Sequence, residues 1–372
     1  SIKMNNKNSF NHNNWLKNND NISLSVLDEN GISIYLDKKG YINYRLSPNE
    51  PHNSTKDHKS LENIFKNITG VNFDLSAFKE RRKSNDEDYV EVKLSITPED
   101  LKLVTEDIFN PFSKEEFILQ ANSTYKLNNF KPSVYMLLDY EFKKELKFHF
   151  ENSAIGKLIL HLVNYDRQRL YWIINWLAYF FQGLKKSQVA LVLLGEQGAG
   201  KGIFFNEVIK PLFGEDFVKT INDKSLNTNY KGSLVENTLF FNLDEISAKN
   251  SSSSSIKNFL KALVTNETIT AEKKFKNLKK EIKIYGQILI TSNELYALEI
   301  EPSDRRFTVF STGGNLSYYN FLGYGSYEAL STSIKNELEH FAIYLKNYTV
   351  DEKIANTALN TIEKDDLIRQ YQ

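Results

Sequence analysis

The residues with the clearest chemical potential are Gly195-Glu196-Gln197-Gly198-Ala199-Gly200-Lys201-Gly202, followed by Ile203. Their spacing is GxxxxGK, a pattern that cradles phosphate, with glycine where Ser or Thr usually closes it. Glycines let successive backbone N–H groups wrap a polyphosphate without Cβ clashes. A helix opening at Ile203 would add the positive end of its dipole, and Lys201 would reach the β- and γ-phosphates. The bland alternative is a glycine turn with an incidental lysine. The apolar run Val189–Leu194 argues against it, because it supplies the buried strand that must precede the loop. Gly202 is the departure: a hydroxyl there normally helps hold Mg²⁺, so the metal would need water or another side chain.

Two acids follow in the same logic. The run LVENTLFFNL, residues 234–243, reads as a buried strand and ends in Asp244-Glu245, with Asp244 forty-three residues after Lys201. Asp244 would hold Mg²⁺ and Glu245 would orient and polarise an attacking water. A third run, IYGQILITS over 284–292, delivers Asn293 at its tip, where an amide can contact a γ-phosphate or the water. Asp304-Arg305-Arg306-Phe307 comes next. Arginine suits spreading phosphoryl charge because its fork is planar and always charged. Taken singly, Asn293 reads as a strand cap and the arginines as surface ion pairs; their order after the glycine loop favours the chemical reading.

The elements that must position these residues are strands alternating with helices, hence an α/β core with a parallel sheet over residues 188–314. Residues 131–187 are helical in pattern, with Leu158, Leu162, Leu170, Ile173, Ile174, Leu177 and Phe181 on apolar faces. They predict a helical bundle before the core. Tyr171, Trp172 and Trp176 read there as packing residues rather than as a nucleic-acid stacking platform. Residues 21–130 read as a small α/β accessory domain. It has a meander of SLSVL, ISIYL and YINYRL between glycine turns, helices at 61–68 and 76–83, a strand at 89–96 and a helix from Pro98 to about Ile108. Residues 1–20 are Asn-rich and read as a linker or disordered, and Ser251–Ser255 as a flexible loop. Residues 315–372 read as C-terminal helices, at about 327–348 and 351–369, after the Gly313-Gly314 break.

The set GEQGAGKG, LFFNLDE, ILITSNE and an Arg-Phe pair thirteen residues after Asn293 resembles the superfamily 3 helicases, an AAA+ group of viral, phage and plasmid replication proteins. The likeness is nearest to the helicase part of phage primase-helicases or primase-polymerases, and covers about residues 155–312 but not 1–130. It implies ATP as cofactor with Mg²⁺, a homo-oligomeric ring, usually a hexamer, and single-stranded DNA as partner. It implies 3′ to 5′ movement and, on the full-length chain, a primase or polymerase domain. Lys201, Asp244, Glu245 and Asn293 would then act in cis. Arg306 would be the finger acting on a neighbour's nucleotide, with Arg305 as its alternative. The same likeness implies a pore hairpin between the second and third motifs. There this chain has Lys273, Lys274, Phe275 and Lys276 within six lysines over residues 273–283. Lysines of this kind can track phosphates without reading sequence, and Phe275 can stack a base or brace the tip. A solvated basic hairpin is the plain alternative.

Composition sets the limits. Among 372 residues, 47 basic and 47 acidic side chains cancel, so any DNA contact must come from a local patch. Without cysteine there are no disulfides, thiol nucleophiles or cysteine zinc sites, and the six histidines show no metal spacing. No signal peptide or bilayer-length apolar run is seen, so a cytoplasmic protein without membrane contact is expected, in the bacterial host if phage-encoded. Ser1 in place of an initiator Met suggests a fragment of a longer chain. Two rivals stand beside the helicase reading. One is a phosphotransferase, for which no acceptor site is visible. The other is a nucleotide-switched DNA-binding or loading ATPase, which would not need Glu245.

Overall fold

A computed structural model describes residues 24–69, 72–75, 95–138, 148–226, 232–246, 253–273, 276–294 and 298–370. The chain divides into two compact units. The first comprises residues up to Ile108 with Glu115–Asn129; the second comprises Phe109–Lys114 and Phe130 onward.

The first unit opens with helix α1 (Leu24–Glu29), followed by β1 (Ser33–Asp37), β2 (Ile42–Arg45), β3 (Asn53–Thr55), α2 (His58–Thr69), β4 (Asn72–Phe73), β5 (Ser95–Ile96), β6 (Lys102–Ile108), β7 (Phe117–Leu119) and β8 (Tyr125–Asn128). Six strands form one mixed sheet in the order β3-β2-β1-β6-β8-β7, while β4 and β5 pair separately. Leu27, Ile34, Ile42, Leu61 and Phe65 are the heart of its core.

Two expectations fail here. SLSVL is α1, not a strand: five residues are too few to separate a period of 2 from 3.6. The helix closes when the Ile32 N–H reaches the Leu27 carbonyl at 2.9 Å, with Gly31 at φ +76° as a left-handed C-cap. The stretch after Pro98 is a single 3₁₀ turn, Pro98–Asp100, whose Asp100 carboxylate accepts from the Thr97 backbone at 3.0 Å. From Lys102 the chain is strand β6, paired in parallel with β1 and β8, so pairing on both edges overrides helical propensity. The expected linker at 1–20, the helix at 76–83 and residues 89–94 of the strand expected at 89–96 lie outside the described residues; the last two residues of that strand are β5.

The second unit carries helices α3 (Ala154–Leu162) and α4 (Arg167–Gly183), then β9 (Ala190–Leu194). Helix α5 follows, α-helical at Lys201–Ile203, π-helical over Phe204–Ile209 and α-helical again at Lys210–Phe213, where Pro211 cannot donate an N–H. Next come β10 (Val218–Ile221), β11 (Phe240–Asp244), α6 (Ser254–Thr265), the hairpin β12 (Thr268–Lys273) and β13 (Lys276–Lys283), β14 (Gln287–Ser292), β15 (Phe307–Ser311), α7 (Tyr327–Asn347) and α8 (Ile362–Gln370). Five strands make a wholly parallel sheet in the order β10-β11-β14-β9-β15, the mixed α/β class expected for this region.

All five residues of β9 are buried, as a strand covered on both faces must be. Leu191 and Leu193 face one core, shared with α3, α4, α5 and α7. Ala190, Val192 and Leu194 face the other, shared with α6, β14 and Leu367 of α8. The α3–α4 pair therefore shares its core with the sheet. Trp172 and Trp176 are buried in it, their indole N–H groups donating to the Thr357 and Val189 carbonyls at 2.8 and 2.9 Å, whereas Tyr171, also expected to pack, is exposed. Of the serine run read as a flexible loop, Ser253 is instead the N-cap of α6, accepting from the Ile256 N–H, and Ser254 and Ser255 open the helix; Ser251 and Ser252 lie outside the described residues. Strand β11 begins at Phe240 rather than at Leu234, because Gly232–Val235 is a helical turn and Asn237 stands at φ +53°. No described helix is long and apolar enough to cross a membrane.

Candidate functional site

Strand β9 stops at Leu194 and the glycine loop begins. Gly195 is confined by its neighbour: a Cβ there would lie 1.9 Å from Thr312 Oγ1. Gly198 and Gly200 stand at φ +81° and +105°, in backbone that side chains with a Cβ rarely adopt. Gly200 is the N-cap of α5. Lys201 is buried, and its Nζ donates to the Gly195 carbonyl, the Glu196 carbonyl at 3.0 Å and Asn293 Oδ1 at 3.1 Å. Burial pulls its pKa below the usual lysine value, while Glu245, Asp244 and Glu196 pull it back up.

The acids arrive on β11. Asp244 Oδ1 is 2.9 Å from Thr291 Oγ1, and Thr291 Oγ1 is 3.0 Å from Asn242 Oδ1. The hydroxyl has one proton and a carboxylate can only accept, so that proton belongs to Asp244 and the Asn242 amide turns an N–H toward Thr291. Glu245 is exposed at the strand tip with φ +53°, fixed by its N–H on the Thr291 carbonyl at 3.0 Å. Its carboxyl is held above the usual range by partial desolvation and then by Asp244, against the Asn293 backbone N–H and Lys201. Lys201, Asp244, Glu245 and Asn293 thus converge at the C-terminal ends of three adjacent strands, β9, β11 and β14.

Arg305 and Arg306 lie at the opposite end of the sheet. The Arg306 carbonyl accepts from Ala190, the first residue of β9, so a strand length of about 13 Å separates it from the loop. Arg306 Nη1 is 3.1 Å from Asp304 Oδ2, and that carboxylate also takes the Arg306 and Phe307 N–H groups. Arg306 Nε is buried without a partner; Arg305 is exposed.

The basic run forms the antiparallel pair β12–β13, with Lys273 opposite Lys276 in the last register pair. Lys274 and Phe275, between them, lie outside the described residues. Ile269 and Ile282 anchor the hairpin's base in the sheet's second core. Lys186 caps α6: its Nζ donates to the Leu263 carbonyl at 2.9 Å and the Asn266 carbonyl, and burial lowers its pKa to about 8.

Three contributors escaped the sequence reading. One is Thr291, which fixes Asp244. The second is the segment from Thr312 to Leu316, which brackets the loop. Asn315 donates its N–H to Glu196 Oε1 at 2.6 Å and its Nδ2 to the Gln197 carbonyl at 3.1 Å, and the Leu316 N–H reaches the Gly198 carbonyl at 2.9 Å. The third is His161, fully buried, whose Nε2 lies 2.7 Å from the Gly314 carbonyl and whose Nδ1 lies 2.7 Å from Tyr165 OH. A carbonyl must accept, so Nε2 carries the proton and Nδ1 accepts from the phenol. Burial holds this histidine below its usual pKa. The one signal was the Gly313-Gly314 pair, whose first member packs flat on the His161 ring.

Among the described residues no group of three or more His, Asp or Glu could cage a metal ion. A divalent cation here would have to rest on one or two side chains plus phosphate oxygens and water, which is how Mg²⁺ is usually held at such sites.

A family of unknown function, DUF5906, matches residues 193–306, which takes in the loop, the acids, Asn293 and the arginines. The chain is similar to the DNA primase-polymerase of Nitratiruptor phage NrS-1, 33% identical over 244 residues, or 65% of this chain and 32% of that protein. The match thus spans about a third of that relative's length. Among solved structures, the apo C-terminal region of NrS-1, residues 305–718, superposes with a TM-score of 0.69 at 26% identity, covering 94% of this chain and 74% of that one. The A form of the same region gives 0.66, again at 26% identity and with the same coverage.

Proposed function

We propose that the second unit is an AAA+-type, superfamily 3 helicase core that hydrolyses ATP with Mg²⁺ and moves on single-stranded DNA in phage or plasmid replication. The observation carrying this reading is the convergence of Lys201, Asp244, Glu245 and Asn293 around a glycine loop at the ends of neighbouring parallel strands. Three glycines leave the loop's N–H groups approachable, and Lys201 can exchange its loop carbonyls for phosphate oxygens. Asp244, steadied by Thr291, is the oxygen donor for Mg²⁺, whose chemistry is to neutralise charge on the β- and γ-phosphates. Glu245, the exposed acid with a raised pKa, orients the attacking water, and Asn293 senses the γ-phosphate.

Arg306 lies a strand length from its own loop, which suits a residue that acts on a neighbour. In a head-to-tail ring the loop end of one subunit meets the opposite end of the next. Hence we assign a hexameric homo-oligomer with Arg306, flanked by Arg305, as the finger in trans. The basic run Lys273, Lys274, Phe275 and Lys276, whose described members Lys273 and Lys276 end β12 and begin β13, is assigned to single-stranded DNA. Similarity to a DNA primase-polymerase supports a replicative setting, with a primase or polymerase domain elsewhere on the full-length protein. The test is ATP hydrolysis with and without single-stranded DNA, followed by strand separation on a forked duplex. DNA-stimulated hydrolysis and unwinding are expected. No hydrolysis would refute the reading, and hydrolysis without unwinding would favour a loading ATPase.

A further inference from the structure

The missing hydroxyl at position 202 raises a structural question that rests on the nucleotide-site reading above. Nothing in the fold forces glycine there. Gly202 is absent from the positions with positive φ, and a Cβ built on it would meet only Asn206 Nδ2, at 4.0 Å. Gly202 therefore differs from Gly195, Gly198 and Gly200, each of which is held by a neighbour or by its backbone angle. A threonine or serine would fit, yet the space is left to the side chain one turn on.

Asn206 has the placement to use that space. It lies four residues after Gly202, about one turn on, and the 4.0 Å approach of its Nδ2 to a Cβ at 202 puts both on one face of α5. Helical side chains lean back toward the N-terminus, which aims the amide at the end of the helix that carries Lys201. Asn206 is exposed, and its side chain makes no hydrogen bond among the described residues. Its amide nitrogen and oxygen are interchangeable by a flip, so either can face the space beside Gly202. An amide oxygen is a neutral, hard donor of the kind that Mg²⁺ and Ca²⁺ accept.

We propose that Asn206 supplies the neutral oxygen that this loop type otherwise takes from a Ser or Thr hydroxyl, so that the divalent cation of the bound nucleoside triphosphate is held by Asn206 and Asp244. Glycine at 202 is then the companion of Asn206, because a side chain at 202 would occupy the approach.

The test uses Mn²⁺ in place of Mg²⁺, titrated into the full chain with a non-hydrolysable ATP analogue, with free Mn²⁺ read by electron paramagnetic resonance. Asn206→Ala should weaken Mn²⁺ binding to the complex by about tenfold or more, on the scale seen when a metal site loses supporting ligation. Metal-free binding of the analogue should be unchanged. Gly202→Thr in the Asn206→Ala background should restore the affinity, because the hydroxyl returns to its usual place; Gly202→Ser serves if the threonine double variant does not fold. Asn206→Asp should bind Mn²⁺ at least as tightly as the parent. Mn²⁺ affinity unchanged by Asn206→Ala, or lost and not restored by the hydroxyl at 202, would overturn the proposal while leaving the nucleotide site standing. Failure of the parent protein to bind the analogue at all would overturn both.

Discussion

The close seating of Gly313 on His161 makes a sharp prediction about the frame behind the glycine loop. A Cβ on Gly313 would lie 2.4 Å from His161 Cε1 and 2.7 and 2.8 Å from its two nitrogens. Position 313 is not among the residues with positive φ, so Gly313→Ala costs nothing in backbone strain and acts purely by collision. The ring cannot yield cheaply, since both nitrogens are engaged at 2.7 Å and the residue is fully buried. Overpacking of this kind costs about 1–3 kcal/mol. If the ring swings away instead, two hydrogen bonds of roughly 1 kcal/mol each are broken and the Gly314 carbonyl is left unsatisfied, at about 1–3 kcal/mol more. The cheaper route sets the cost, a destabilisation of about 1–3 kcal/mol, or roughly 2–12 °C in melting temperature for a unit of this size. The assay is chemical denaturation of Gly313→Ala, His161→Ala and the double variant. Removing the ring removes the collision, so the double variant should be about as stable as His161→Ala alone, with a coupling of roughly 1–3 kcal/mol. Additivity within about 0.5 kcal/mol would refute the collision and the role of His161 as the backing of this segment.

Other expectations concern turnover and DNA. Lys201→Ala should weaken ATP binding by on the order of 1.5–3 kcal/mol for each charge-assisted hydrogen bond to phosphate that it removes, while Glu245→Gln should bind ATP and not turn it over; parental hydrolysis by Lys201→Ala would count against the site. Arg306→Ala should bind ATP without hydrolysing it, with a fall of about 10³–10⁵ in rate. Mixed with Lys201→Ala subunits, it should recover part of the activity, and no recovery in complexes shown to contain both would exclude a finger in trans. Replacing Lys273, Lys274 and Lys276 together by Ala should flatten the salt dependence of single-stranded DNA binding by roughly 0.7 for every phosphate no longer neutralised; an unchanged titration would make the hairpin a solvated face. Because Glu245 is held above the ordinary carboxylate range, the acid limb of the pH–rate profile should sit higher than for a free glutamate. Activity should rise as the pH passes that value, and a limb at or below the free value would show that another group controls the rate.

The loop, the two acids and Asn293 were legible because each sits where an apolar run ends, and a buried parallel strand writes itself as such a run. The strand order was not legible. That β14 lies between β11 and β9, bringing Asn293 to Lys201, is a product of crossovers that local pattern does not encode. Hydrogen bonds such as that from Asn315 to Glu196 span 119 residues and involve residue types common in any loop. The errors in the first unit have a physical source as well. SLSVL was too short to have one period, and the residues after Pro98 took their state from pairing with β1 and β8 rather than from their own preference.

The left-handed backbone of Glu245 has a consequence for how sequences related to this one should be read. A residue with a long side chain at φ +53° is held against a preference worth about 1–2 kcal/mol, whereas glycine or asparagine would rest there with little strain. The position therefore sets thermal robustness against turnover: relaxing the backbone removes the acid that would direct water. Chains that keep the lysine and the aspartate but carry Gly or Asn at this place would be expected to melt higher and to grip nucleotide without consuming it. On the proposed function, that single position would then separate chains that turn nucleotide over from chains that only hold it, before any assay is run.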